Sequence, residues 1–174
     1  MAEFVFMFLK IVLTIGLLLV STLIVLRYYF SHKKMPVQIA PAGEEQKIIL
    51  PLRLQACERI VLFLDRIALN NLIMRINHPE MNAHQLQAAM VSAIREEFEY
   101  NLSQQLYIST KSWSLVRNAK EETIRMINTA SIKVSENASS SEMVRILLEL
   151  VISEEKSAVD IALEEVKKEV QKSF

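Results

Sequence analysis

From Leu52 to Phe174 the chain contains no glycine and a single proline, Pro79. Tight β-hairpin turns need residues that tolerate positive φ, glycine foremost, so a stretch of this length without one cannot be laced together from hairpins. Its β-branched runs are short and its apolar residues recur at helical spacing, which predicts an all-α domain. About 120 residues are enough to close one hydrophobic core without disulfides or metals. The same absence removes the phosphate-cradling P-loop, the dinucleotide fingerprint and the G-x-S-x-G nucleophile elbow, since each needs glycine where backbone and ligand approach.

The apolar spacing predicts roughly four helices. Pro51 suits a first helical turn, and Cys57, Ile60, Val61, Leu64, Ile67 and Ala68 then share a face. "ALNNL" and "INHPEMN" punctuate the pattern, and a second helix starts between Asn77 and Asn82, where asparagine can cap and Pro79 can take an early position. Its stripe is Leu86, Met90, Ile94, Phe98, Leu102 and Leu106, each four residues after the last. Four residues advance about 400°, so the stripe drifts by about 40° per step and the helix must wrap its neighbours or break near Ser103.

Ser109 can cap a third helix carrying Trp113, Val116, Ile124, Ile127 and Val134. "SENASSSE" interrupts, with Ser139 and Glu142 at capping-box spacing. A fourth helix follows with Leu148, Ile152, Val159, Leu163, Val166 and Val170 as its stripe, free to project and associate, and with Glu164 and Lys168 as an i,i+4 ion pair.

Ahead of this domain, Phe4 to Leu26 is apolar almost throughout, interrupted by Lys10, a few hydroxyls and Gly16. About 23 helical residues rise about 35 Å, enough to cross a bilayer core. Glu3 at the start and "LRYYFSHKK" in place of a small-residue cleavage site argue for an N-terminal transmembrane helix rather than a cleaved signal. Arg27, Lys33 and Lys34 place the following chain in the cytoplasm, with the N-terminus outside. The expected organisation is an anchor over residues 1–30, an extended linker over 31–50 containing Pro36, Pro41 and Gly43, and a helical domain over 51–174.

Sites of chemistry are sparse. Cys57 is the sole cysteine, so no intrachain disulfide forms. Its place on an apolar face points to a buried thiol rather than a nucleophile. "HPEMNAH" sets His78, Glu80 and His84 close together, the one conceivable zinc cluster, against a bland reading as solvated turn residues. Glu96, Glu97 and Glu99 could serve as acid and base, but neighbouring helical positions point in different directions. From residue 52 onward fifteen Lys and Arg stand against seventeen Asp and Glu, a net charge of −2, which disfavours nucleic acid as a partner. No cofactor and no small-molecule substrate is evident.

What remains is "REEFEYNLSQQLYIST", where acids, amides and aromatics crowd together. Phe98, Asn101, Gln104, Gln105, Tyr107 and Trp113, with Leu148, Ile152, Val159, Leu163 and Val166 of the fourth stripe, are the candidate interaction residues. A satisfied helix-to-helix turn accounts for the amides equally well.

"PLRLQACERIVLFLDRI" at 51 to 67 and "EEFEYNLSQQLYISTKSWSLVRNAKEETIRMIN" at 96 to 128 resemble an uncharacterised family of small bacterial proteins with one membrane span and a helical cytoplasmic region. That resemblance implies no activity or site. The plan is also similar to LemA-type proteins, without their arginine-rich motif, and to ATP synthase b-type stalks, from which Pro79 and the serine-rich break depart. The expected function is therefore a non-enzymatic scaffold at the inner (cytoplasmic) membrane of a bacterium, forming a homo-oligomer or docking a protein partner. The alternatives are an accessory subunit of a larger membrane complex, or a ligand-binding or hydrolytic bundle using the acidic cluster.

Overall fold

The computed structural model describes residues 2–32, 42–153 and 155–172. These contain seven α-helices and no strand: α1 Ala2–His32, α2 Ala42–Ile67, α3 Leu69–Ile76, α4 Ala83–Asn101, α5 Thr110–Lys133, α6 Ser140–Ser153 and α7 Ala158–Gln171, with a single 3-10 turn at Leu102–Leu106. The chain divides into two units, residues 1–45 and 46–174.

In the first unit, α1 is a 31-residue helix. Among the described residues no helix is long and apolar enough to cross a membrane. Several side chains of α1, those of Val5, Phe8, Leu9 and Ile11 among them, lie outside that description. The side chains that are described are exposed at consecutive positions, Leu17, Leu18, Leu19 and Val20 for example. The Lys10 ammonium sits 5.7 Å from the centre of the Phe6 ring.

The linker expected over residues 31–50 needs correction at both ends. His32 still belongs to α1, and α2 begins at Ala42, nine residues before Pro51; residues 33–41 lie outside the described part. Proline's fixed φ fits a helix, but its missing N–H leaves the carbonyl of Lys47 unbonded and its ring crowds that carbonyl; Lys47 stands at an exposed position where water can replace the bond.

The second unit is a bundle of six α-helices rather than four. Ala56, Cys57, Ile60, Phe63, Leu64 and Ile67 of α2 are buried, along the expected face. The helix then breaks at Ala68, which is extended (φ −55°, ψ 129°), and restarts as α3. Asn71 stabilises the break: its Nδ2 donates to the carbonyl and to the side chain of Asp65, both at 3.0 Å, adding to the Ala68 N–H that reaches the same carbonyl at 3.3 Å. Pro79 lies in the turn between α3 and α4, outside either helix.

Helix α4 starts where the asparagine signal pointed. Asn82 accepts from the Gln85 N–H at 2.8 Å, and Gln85 Oε1 accepts from the Asn82 N–H at 3.1 Å, a complete capping box. The extended residues before α4 and α6 pair with each other: Ala83 N–H donates to Ala138 O at 3.0 Å and Ser140 N–H to Met81 O at 3.1 Å. One backbone pairing thus ties two helix starts together. At α6 the Ser139 hydroxyl accepts from the Glu142 N–H at 3.3 Å.

The fourth predicted helix is two. α6 ends at Ser153, and α7 restarts after Ser157, whose hydroxyl accepts from the Asp160 N–H at 3.1 Å. α7 does not project; it folds back against α5, with Val159, Ala162 and Val166 buried. Glu164 is bonded to Lys156 at 2.7 Å instead of pairing with Lys168.

Candidate functional site

The cluster of acids, amides and aromatics in "REEFEYNLSQQLYIST" becomes a corner. Leu86, Met90 and Ile94 are fully buried and Phe98 partly so, but Leu102 and Leu106 are exposed, because the stripe has rotated out of the core. The helix breaks where the drift forces it to. Asn101, itself buried, donates from Nδ2 to the Glu97 carbonyl at 2.7 Å, and Leu102 N–H bonds to Glu99 O, the tighter 3-10 register.

Beneath the corner three aromatics stack. Phe98 lies nearly parallel to Trp113 with ring centres 5.3 Å apart and tilts at 57° to Phe63 at 5.8 Å. The Lys120 ammonium stands 4.4 Å from the Phe98 ring centre, a favourable position over a negative π face.

The corner is fastened by a carboxylate from the far end of the chain. Ser109 caps α5, its hydroxyl accepting from the Ser112 N–H at 3.2 Å. Glu169 of α7 then accepts from the Ser109 N–H at 2.8 Å, the Ser109 hydroxyl at 2.7 Å and the Ser112 hydroxyl at 2.5 Å. Arg53 of α2 completes the cluster, with Nη2 3.1 Å from Glu169 Oε1 and Nε donating to Tyr107 O at 3.3 Å. Burial alone would raise the pKa of Glu169, but the hydrogen bonds from Ser112, Ser109 and Arg53 outweigh it, and the carboxyl is held below the usual range. A carboxylate so fully engaged is an anchor point and a poor proton donor or acceptor at neutral pH. One turn along α2, Cys57 is pushed up by burial, then by the Glu169 charge, with Arg53 opposing; that is the reverse of what a nucleophilic thiol requires.

The other polar candidates are also turned on the fold. Glu97 pairs with Arg66 at 2.9 Å and Arg75 at 3.5 Å, bridging α4 to α2 and α3. Glu96 accepts from Ser92 at 2.9 Å, and Glu99 is exposed, so the three acids do not converge. Between α4 and α5, Gln87 donates to Asn128 at 2.9 Å and accepts from Ser131 at 3.0 Å. His78, Glu80 and His84 are exposed, and among the described residues no three His, Cys, Asp or Glu could hold a metal ion.

Of the anticipated interaction residues, Phe98 and Trp113 come together, and they and Asn101 are largely internal. Val159 and Val166 are buried, and Leu163 packs against the same core, so that part of the α7 stripe faces inward. Gln104 is partly covered and Gln105 and Tyr107 are exposed on the corner, while Leu148 and Ile152 are exposed on α6. Arg53, Ser112 and Glu169 have no local sequence signal beyond Ser109 and Ser112 being three apart; the rest of the cluster joins residues up to 116 positions distant.

Neither the curated proteins nor the solved structures include a match to this chain. A family model described as a family of unknown function, DUF7935, matches residues 3–173, nearly the whole chain, and the protein therefore belongs to that family.

Proposed function

We propose that this chain is a membrane-anchored helical interaction module, held by α1 at the inner face of a bacterial cytoplasmic membrane, which self-associates or docks a protein partner without carrying out catalysis. The observation that carries the reading is the run Leu17, Leu18, Leu19 and Val20 in α1. Successive helical positions are about 100° apart, so four exposed in a row clothe the whole circumference in hydrocarbon. A turn apolar on every side is poorly suited to water, and that is what supports the anchor.

The bundle supports the docking half of the reading. Glu97, Glu169, Gln87 and Asn101 bond to other groups within the fold, whereas α6 leaves Leu148 and Ile152 outward beside buried Leu147. Those two residues are the proposed docking face, with Gln105 and Tyr107 at the corner as the other exposed members of the anticipated set. Cross-linking of the full-length protein in its native membrane, followed by mass spectrometry, tests the reading. The expected result is reproducible links from residues 144–153 to a second copy or to one partner. Recovery of the protein in the carbonate-soluble fraction would refute the anchor, and links confined within single chains would refute the docking.

A further inference from the structure

We propose that the cleft between α2 and α4 recognises the C-terminal residue of a peptide chain: a carboxylate, the N–H beside it and an apolar side chain. The site goes beyond the proposed docking through α6 and does not depend on it. One face of each helix builds the cleft, which has a volume of about 380 Å³. From α2 come Arg59, Leu62, Phe63 and Arg66, at i, i+3, i+4 and i+7, and from α4 come Glu97, Tyr100 and Asn101, at i, i+3 and i+4.

The charges in the cleft do not cancel. Glu97 is held by Arg66 at 2.9 Å and by Arg75 of α3 at 3.5 Å, so its own charge is answered twice. Arg59 makes no hydrogen bond or ion pair among the described residues. Three guanidinium groups thus stand against one carboxylate. The other acids of the two helices point elsewhere: Glu58, Asp65, Glu96 and Glu99 lie about 90° or more from the cleft round their helices. Glu58 lines a groove toward α7, Asp65 accepts from Asn71, and Glu96 accepts from Ser92. Glu44 and Glu45, at the start of α2, are about 20 Å away along its axis.

The second observation is Asn101, which is only 7% exposed and lines the cleft. Its Nδ2 donates to the Glu97 carbonyl at 2.7 Å. A carbonyl only accepts, so this bond fixes which end of the amide is which and leaves Oδ1 as the free atom. Oδ1 has no partner among the described residues, yet it is not sealed from solvent. A donor entering through the cleft completes it.

An unpaired guanidinium and a free amide oxygen in one cleft select a ligand with a carboxylate next to an N–H. The last residue of a peptide has both, its carboxylate for Arg59 and its N–H for Asn101 Oδ1. Buried Phe63, with Leu62 and Tyr100 exposed beside it, offers the terminal side chain an apolar surface. A phosphate ester satisfies the arginine but sets acceptor oxygens against Oδ1, which disfavours it.

The test uses the full-length protein in nanodiscs of neutral phospholipid and ligand-observed saturation-transfer NMR, with empty nanodiscs as the blank. The probes are acetyl-alanyl-alanyl-leucine with a free carboxylate, the same tripeptide ending in a carboxamide, and N-acetylleucine. The expected result is saturable binding of the free-acid tripeptide, weakened about tenfold or more in the carboxamide and in Arg59→Gln, and unchanged in Arg145→Gln on α6. Arg59 is exposed and bonds nothing, so Arg59→Gln should keep the native thermal unfolding curve. Equal binding of acid and carboxamide, or acid binding undiminished in Arg59→Gln, overturns the site. Binding of N-acetylleucine without the tripeptide overturns the chain end in favour of a small free acid. Failure of every probe to bind at millimolar concentration also overturns the inference. None of these outcomes bears on the α6 face, which the cross-links from residues 144–153 test separately.

Discussion

Glu169 offers the sharpest test of how the bundle is held. Replacing it with alanine removes the acceptor for the Ser109 N–H, the Ser109 and Ser112 hydroxyls and the Arg53 guanidinium at once. Ser112 is fully buried and is left without its shortest bond, though Ser109 Oγ, 3.1 Å away, partly compensates it. Arg53 is 42% exposed and regains water, so its share is small. A charge-assisted bond lost at a buried hydroxyl and another at a helix-capping N–H together come to about 3 kcal/mol. Glu169→Gln keeps shape and one acceptor oxygen, and should cost about 1 kcal/mol.

Urea unfolding of the full-length protein in mild detergent, followed by helical circular dichroism at pH 7, reads both values. The pH dependence supplies a second check. Because the folded pKa is lowered, the carboxylate's contribution is complete above the unfolded value, about 4.3 for glutamate, and is lost as pH falls through the lower folded value. The gap between the native protein and Glu169→Gln should therefore close below about pH 4. Equal stability of native protein, Glu169→Gln and Glu169→Ala at pH 7, or a gap that persists undiminished into acid, would refute the assignment of Glu169 as the clasp between α2, α5 and α7.

Phe98→Ala should destabilise by about 3 kcal/mol and red-shift the emission of Trp113, the chain's only tryptophan, since it removes the ring stacked on it; an unchanged spectrum would contradict the stack. Leu147→Ala should cost about 3 kcal/mol while Ile152→Ala, five residues on and 82% exposed, should stay within about 0.5 kcal/mol, and similar values for the two would contradict the orientation of α6. Asn82→Ala should cost about 1 kcal/mol and Asn82→Asp little, measured by the same unfolding, because aspartate preserves the acceptor for the Gln85 N–H.

The all-helical class and the starts of α4, α5 and α6 are visible in the residues alone. A cap is local chemistry: Asn82, Ser109 and Ser139 each reach a backbone N–H three residues away, so composition and spacing expose them without any knowledge of the fold. The i,i+4 stripe from Leu86 likewise contains its own instruction to break, because its drift is a property of 3.6 residues per turn. A hydrophobic stripe does not, however, distinguish one helix from two in sequence. The segment around Ser157 interrupts a helix whose apolar period runs straight through it, because that departure is fixed by where α7 can bury its face, while at Ala68 the "ALNNL" punctuation marks a break without showing that a separate helix, α3, follows it. The same limit governs the corner. That Asn101 and its neighbours sit at a turn follows from local periodicity, but Glu169 meeting Arg53, Ser109 and Ser112 depends on α7 turning back onto α5, and no local pattern encodes a contact spanning 116 residues. Local hydrogen bonding and periodicity decided which segments are helical; burial of mutually complementary faces, available only in three dimensions, decided how many helices there are and which charges hold them together.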